Sequence, residues 1–375
     1  MVLARAALLA LAATWLAAIA LAAPEGEEPT IPEPSAAPDA AAVPDAAAKV
    51  EGAWKTHEFT VFGYLPEYRL GGFNYEAAFQ SGLTHLIFFS LEISEAGLPA
   101  ALDRLPSKAD IKKARAAADK VGGKILLSFG GNARSQNFGR VATNPKYRAK
   151  FVEAVNRLLT KLQFDGVDLN WEYPRDHTEW RAWGVLMKDL KQGLLGGPSN
   201  NVVTSTMYLD ENHYETIRRY NLLADADYVH CMAYDQPRQH STFAFFKRGI
   251  KLARDKQFPL KKFTIGVPFY ARHTTTGEPK TYAEVMPHLH NAIDDQWEHY
   301  YFNSRTLIEK KTKAAFHDGV GGVMIWELGQ DVQPLSDPRS LMTALHGGLP
   351  WYVKPEGARP VDPLPGDDIP TYDDL

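Results

Sequence analysis

Phe164–Pro174 reads FDGVDLNWEYP and sets Asp168, Asn170 and Glu172 two residues apart. On a strand, side chains at i, i+2 and i+4 share one face, with successive members about 6.5 Å apart, so the three polar groups form a single ladder. Val167, Leu169 and Trp171 take the opposite face. A strand that is apolar on one side and carries an acid, an amide and an acid on the other must deliver those groups to a place where they are paired or used, because burying them unpaired is costly.

Working outward from this strand, short apolar runs of the same character recur along the chain. They are Thr60–Leu65, Thr84–Leu91, Lys124–Phe129, Gly166–Trp171, Val202–Tyr208, Asp227–Tyr234, Phe263–Phe269 and Gly321–Trp326. Helical spacing fills the intervals. Ser107–Val121 opens on a serine cap, Pro145–Leu162 has Asn144 as cap and proline in its first turn, and Ser304–Phe316 is stopped by Gly319. Eight β-then-α units predict a TIM (β/α)8 barrel, whose working face is the C-terminal end of the strands. A doubly wound open sheet is the alternative. It fits less well, since no glycine-rich phosphate loop follows the first strand and polar residues close many of the strands.

Those strand ends are aromatic and polar: Tyr64 on the first, Phe89 and Ser90 on the second, Ser128 to Gly131 on the third, Glu172 on the fourth. Tyr208 and Asp210 follow the fifth, Met232, Tyr234 and Asp235 the sixth, Phe269, Tyr270 and Arg272 the seventh, Trp326 and Glu327 the eighth. Aromatic faces and hydrogen-bonding groups meeting at one mouth suit a sugar, whose ring face stacks while its hydroxyls are bonded. Aromatics that merely fill the barrel top are the competing reading for any one of them.

Composition bounds the rest. The chain has 375 residues, 45% hydrophobic, and a formal charge of −4. Without a Lys/Arg cluster it is not expected to bind nucleic acid or an anionic membrane. Residues 1–22 carry Arg5, a largely alanine and leucine run and Ala20-Leu21-Ala22, which reads as a secretory signal peptide, with an uncleaved anchor as the rival. Residues 23–54 are Pro, Ala, Glu and Asp with hardly a large apolar side chain, the composition of a flexible linker. The folded unit is expected over 55–347, followed by a Pro/Asp-rich tail over 348–375. The protein is thus expected to be secreted or periplasmic, without stable membrane association once the leader is cleaved, and to act as a monomer. Cys231 in YVHCMAY reads as a buried inert thiol. His288 and His290 come nearest to a metal pair but lack a third ligand at useful spacing, so no metal and no cofactor is expected.

At these residues the chain resembles the family 18 glycoside hydrolases, the chitinases and their relatives. The resemblance runs through GYLPEY at Tyr64, LSFGG at Ser128–Gly131, the DGVDLNWEYP strand, MAYD at Met232–Asp235, PFYAR at Pro268–Arg272 and GVMIWELGQD at Gly322–Asp331. The family pattern DxxDxDxE is met by Asp165, Asp168 and Glu172, with Asn170 where the third aspartate belongs. The stretch after strand seven is too short for the α+β insertion that walls the cleft in some chitinases.

The resemblance implies a retaining, substrate-assisted reaction on β-1,4-linked N-acetylglucosamine, in which the sugar's acetamido oxygen replaces a protein nucleophile. Glu172 would be the acid/base, Asp168 the support beneath Asn170 held by Tyr64 and Ser128, and Tyr234 the donor to the acetamido oxygen. Trp326 would floor the distorted sugar. Substrate binding is expected of Tyr64, Phe89, Ser128, Trp171, Met232, Asp235 and Trp326, with Arg272 assigned by motif position only. Asp165 has the wrong parity for the ladder and reads as a structural acid. A chitinase-like lectin that binds such glycans with little or no hydrolysis is the alternative, and an N-glycan core or a peptidoglycan strand would present the same acetamido group.

Overall fold

The computed structural model describes residues 59–194, 201–289 and 293–350. The expected leader and linker and nearly all of the tail lie outside these, as does His290. Eight parallel strands run β1 (Thr60–Pro66), β2 (His85–Ile93), β3 (Lys124–Gly130), β4 (Gly166–Asn170), β5 (Val202–Tyr208), β6 (Tyr228–Met232), β7 (Phe263–Pro268) and β8 (Gly322–Trp326). Neighbours in sequence are neighbours in space, and β1 bonds to both β2 and β8, so the sheet closes into a barrel. The helices that follow the strands are α1 (Tyr75–Gln80), α2 (Lys108–Asp119), α3 (Pro145–Leu162), α4 (His177–Gly193), α5 (Glu211–Arg219), α6 (Phe243–Asp255), α7 (Arg305–His317) and α8 (Leu341–Gly347).

Strand alternation divides the apolar side chains into two layers. Phe62, Ile87, Leu126, Val202 and Met324 point inward and fill the barrel. Val167, Leu169, Phe129 and Leu158 belong to the larger layer between strands and helices. α3 shows how sequence builds that layer. Asn144 accepts hydrogen bonds from Lys146 N at 3.0 Å and Tyr147 N at 3.4 Å, satisfying orphan amides of the first turn. Phe151, Val155, Leu158 and Leu162 recur every three or four residues on the buried face, and Phe151 meets Phe129 of β3 at 5.1 Å. Gln163 in the left-handed conformation ends the helix. Leu158 is fully buried, so Leu158→Ala would cost about 2–5 kcal/mol.

Two local features shape the mouth. On β2 the register against β3 slips between Phe88 and Leu91, so one extra residue is inserted at Phe89-Ser90. Such a bulge re-aims side chains: Phe88 stays in the outer layer while Phe89 joins the interior cluster. At the end of β3, Gly130 has φ +96°, and a Cβ there would lie 2.3 Å from the backbone oxygen of Asn170. Only glycine lets the two strands approach this closely. After β7 the chain forms a small antiparallel sheet of four short strands between Tyr270 and Tyr301, in the order Pro279–Thr281, Tyr270–His273, Tyr300–Tyr301, Gln296–Trp297. Among the described residues no sizeable insertion domain is present, as the sequence predicts.

Candidate active site

Parallel register sets Ser128 of β3, Asp168 of β4 and Thr204 of β5 side by side. All three are fully buried, and their hydroxyls converge on the carboxylate. Asp168 Oδ2 accepts from Tyr64 Oη at 3.0 Å and Ser128 Oγ at 2.8 Å, and Oδ1 accepts from Thr204 Oγ1 at 2.7 Å. Burial raises the Asp168 pKa, and the three donors pull it partway back. Tyr64 is held well above its usual value by burial and by Asp168, so it remains a neutral donor.

One rung higher, Asn170 is 3% exposed and its Oδ1 accepts from the Thr206 hydroxyl. That bond directs the amide nitrogen toward Glu172, with which the Asn170 side chain is hydrogen-bonded. The Asn170 carbonyl accepts from Gly131 N at 2.7 Å and Ser135 Oγ at 3.3 Å. Ser135 Oγ in turn accepts from Glu172 N at 3.1 Å, fixing the backbone that carries the acid. Glu172 is pushed from 4.5 up to about 7, chiefly by burial and further by the charge of Asp235. The Asn170 amide and the Asn132 N–H, both donating to it, act the other way.

Across the mouth stand Tyr234 and Asp235. Tyr234 is 4% exposed, and its hydroxyl donates to the weak acceptor Met324 Sδ at 3.7 Å. Gly266 leaves room for its ring, which a Cβ there would approach to 2.7 Å. Burial, then Asp235 and Glu172, raise the phenol well above its usual value, so it stays a donor. Asp235 lies 2.9 Å from Arg272 Nε, accepts from Tyr270 Oη at 2.6 Å and faces His240 Nδ1 at 3.7 Å. Burial pushes its carboxyl up, but His240, Arg272 and Tyr270 outweigh this and hold it below the usual range. Trp326, half-buried, meets Phe89 edge-on at 4.8 Å and Tyr64 at 5.5 Å. Met232 belongs to the same inner cluster.

The structure therefore gathers Tyr64, Phe89, Ser128, Asp168, Asn170, Glu172, Met232, Tyr234, Asp235, Arg272 and Trp326 within or around one mouth. Trp171 is the exception and corrects the expectation. Its strand parity sends it outward, where it is 2% exposed and stacks on Phe138 at 5.3 Å, so it cannot meet a ligand in the cleft. Three strand-end residues also do other work: Phe269 is buried in the outer layer, Asp210 caps α5 through His213 N at 2.9 Å, and Glu327 is bound to Arg69 at 3.1 Å and Gly329 N at 2.8 Å. Asp165 faces Arg115 at 2.5 Å and accepts from Ile125 N at 2.8 Å, away from the ladder. Sequence reasoning missed Thr204, Thr206, Ser135 and Asn132. The alternation in VVTSTMY, which puts Thr204 and Thr206 on the inner face beside the β4 ladder, was the available signal for the first two.

Comparison with known proteins bears on this arrangement. The sequence profile of glycosyl hydrolases family 18 matches residues 54–331. A class V chitinase of Arabidopsis thaliana is 29% identical over 119 residues, 30% of this chain and 31% of that protein. Chitinase 1 of Aphanocladium album is 23% identical over 279 residues, 60% of this chain and 65% of that protein. The chain spans about a third of the length of the Arabidopsis relative, as it does of a Drosophila melanogaster probable chitinase 2, of which it covers 34%. Among solved structures, the GH18 chitinase ChiB of Flavobacterium johnsoniae superposes with a TM-score of 0.63 at 24% identity, covering 78% of this chain and 94% of that one. The class V chitinase of Nicotiana tobaccum gives a TM-score of 0.65 at 17% identity, covering 79% and 100%. These likenesses show the shared barrel.

Proposed function

The chain belongs to family 18 of the glycosyl hydrolases, and from that membership we propose that it cleaves β-1,4-linked N-acetylglucosamine chains by substrate-assisted acid/base catalysis at Glu172. The observation that carries this reading is the setting of Glu172, a carboxyl raised to about 7 whose ladder neighbour is an amide. A retaining enzyme with its own nucleophile needs a second carboxylate about 5–5.5 Å away. Asp168 is the lowest rung of the ladder, with both oxygens taken by hydroxyls, and Asp235 is clamped by Arg272 and Tyr270. Family membership then selects the acetamido oxygen of the substrate as the nucleophile. The named relatives, chitinases of plant, insect and fungus, support the same substrate class.

In the first step protonated Glu172 gives its proton to the glycosidic oxygen while the acetamido oxygen bonds to the anomeric carbon, giving an oxazolinium and a free leaving group. In the second the Glu172 carboxylate takes a proton from water, whose oxygen opens the ring with retention. Tyr234 donates to the acetamido oxygen, and Trp326 supports the distorted ring. Asn170 stands where the family pattern has aspartate. It offers a lone pair and an N–H but no charge to balance the developing cation, which slows the enzyme by about a hundred- to thousandfold without silencing it. The same missing charge favours a second reading, a lectin that binds these glycans and leaves them intact.

Residues 1–22, read as a leader, would send the enzyme out of the cytoplasm; among the described residues no helix is long and apolar enough to cross a membrane. The test is prolonged incubation with a chitin oligosaccharide, read as new reducing ends. The wild type should release them, and Glu172→Gln should lower the rate by about a hundred- to ten-thousandfold. Binding without products would establish the lectin, and products that persist in Glu172→Gln would remove the assigned acid.

A further inference from the structure

Beside the catalytic groups a cavity of about 550 Å³ opens between the loop after β6 and the small antiparallel sheet. It begins one residue past Asp235 and two past Arg272, lined by Gln236, Gln239, Thr242, Thr274, Gln296 and Arg238 among others. None of its lining residues is aromatic or acidic, in contrast to the Trp326–Phe89 side of the mouth. A volume of this size holds a substituted sugar, but nothing in its walls would stack on an apolar ring face.

Its framework is held by hydrogen bonds. Gln236 Nε2 donates to Gln239 O at 2.7 Å and Thr242 Oγ1 at 3.1 Å, Gln236 N donates to His240 O at 3.1 Å, and Thr274 N donates to His299 O at 2.8 Å. Charge is what sets the cavity apart. The other guanidiniums around the mouth each face a carboxylate: Arg69 with Glu327 at 3.1 Å, Arg134 with Glu67 at 2.7 Å, Arg272 with Asp235 at 2.9 Å. Arg238, exposed on the turn with φ +65°, faces none among the described residues. A non-glycine residue in the left-handed region is uncommon and points to a constraint at that position. A planar guanidinium with all its donors available is suited to bidentate recognition of a carboxylate, and the surrounding amides and hydroxyls match the hydroxyl and amide groups of a sugar.

We propose that this cavity takes a sugar bearing a carboxylate, next to the acetamido sugar whose linkage is cleaved, so that the substrate class extends to glycans in which N-acetylglucosamine alternates with an acid-substituted unit. This deepens the proposed function and rests on it for the cleaved linkage. Binding, however, can be read apart from cleavage. In a Glu172→Gln background, calorimetry at low salt compares two probes of equal length: an oligosaccharide alternating N-acetylglucosamine with N-acetylmuramic acid, and the same oligosaccharide with its carboxyl groups converted to methyl esters. The acid form should bind about fivefold tighter than the ester, and Arg238→Gln added to that background should erase the difference. Equal affinity for acid and ester, no binding of the acid form, or a preference that survives Arg238→Gln overturns the proposal. Cleavage of an all-N-acetylglucosamine oligosaccharide by the wild type is measured separately. It can succeed while the acid preference fails, and fail while the preference stands.

Discussion

In the proposed reaction Glu172 carries the chemistry, and its environment sets a pH limit. The general acid must start protonated, and with a pKa of about 7 it loses that proton as pH rises through neutrality. The pH profile of kcat/KM should therefore fall on the alkaline side with a midpoint near 7; a flat profile between 6 and 8 would contradict the assignment. The same shift has a stability counterpart. The folded state holds this proton more tightly than the unfolded chain, so the stabilisation is full below about 4.5 and lost as pH rises through about 7. Glu172→Gln should raise the melting temperature at pH 8 more than at pH 4. For Asn170→Asp, turnover on a chitin oligosaccharide should increase by about a hundred- to thousandfold, and no increase would show that the amide is not the limiting feature. Parity made Asp168, Asn170 and Glu172 legible in the sequence, because alternation on a strand is a rigid consequence of backbone geometry. Parity also excluded Trp171 from the cleft, and only its closeness to Glu172 in the chain recommended it. Ser135 and Asn132 were not legible, since hydroxyl and amide residues occur in loops for many reasons and their partners are fixed only once β3 and β4 are in register.

The barrel strands were readable because each is an apolar run between turn signals, and the caps Ser107, Asn144 and Ser304 marked helix starts that the structure keeps. Two kinds of element were hidden. The bulge at Phe89-Ser90 leaves no trace in an apolar run, and the strands between Tyr270 and Tyr301 are only two to four residues long, too short to show a period. At this scale Asp165 and Arg115 join α2 to the start of β4, with Arg115 also facing Asp119 at 2.8 Å. Both acids are buried. Arg115→Ala takes away the cation that faces them and should destabilise the fold by about 3–5 kcal/mol in denaturant unfolding. A loss below about 1 kcal/mol would mean that other groups neutralise the pair.

The barrel as a whole separates a buried lower interior from a polar upper mouth. His85 and His230 lie in the lower part against Phe62, His85 stacked at 4.1 Å and His230 tilted at 4.5 Å, and burial lowers both to about 3. Their stabilising contribution is present above the unfolded value of 6.5 and is lost as pH falls toward 3. Buried acids at the mouth end act oppositely, since Glu172 and Glu327 at about 7 and Asp331 at about 6 favour the folded state in acid. Replacing one histidine should expose that balance: His230→Gln should shallow the decline of unfolding free energy between pH 6.5 and 3, and an unchanged slope would show that His230 takes no part. At the mouth, the proposed reaction turns on a proton from Glu172 and an attack by the substrate's own amide. The most direct check is to compare cleavage of two β-1,4 glucosamine oligosaccharides of equal length, one fully N-acetylated and one with free amines, while following the anomer released. Cleavage confined to the acetylated chain, with the β anomer appearing first, is the predicted result. Equal cleavage of the chain lacking the acetamide, or initial release of the α anomer, would contradict it.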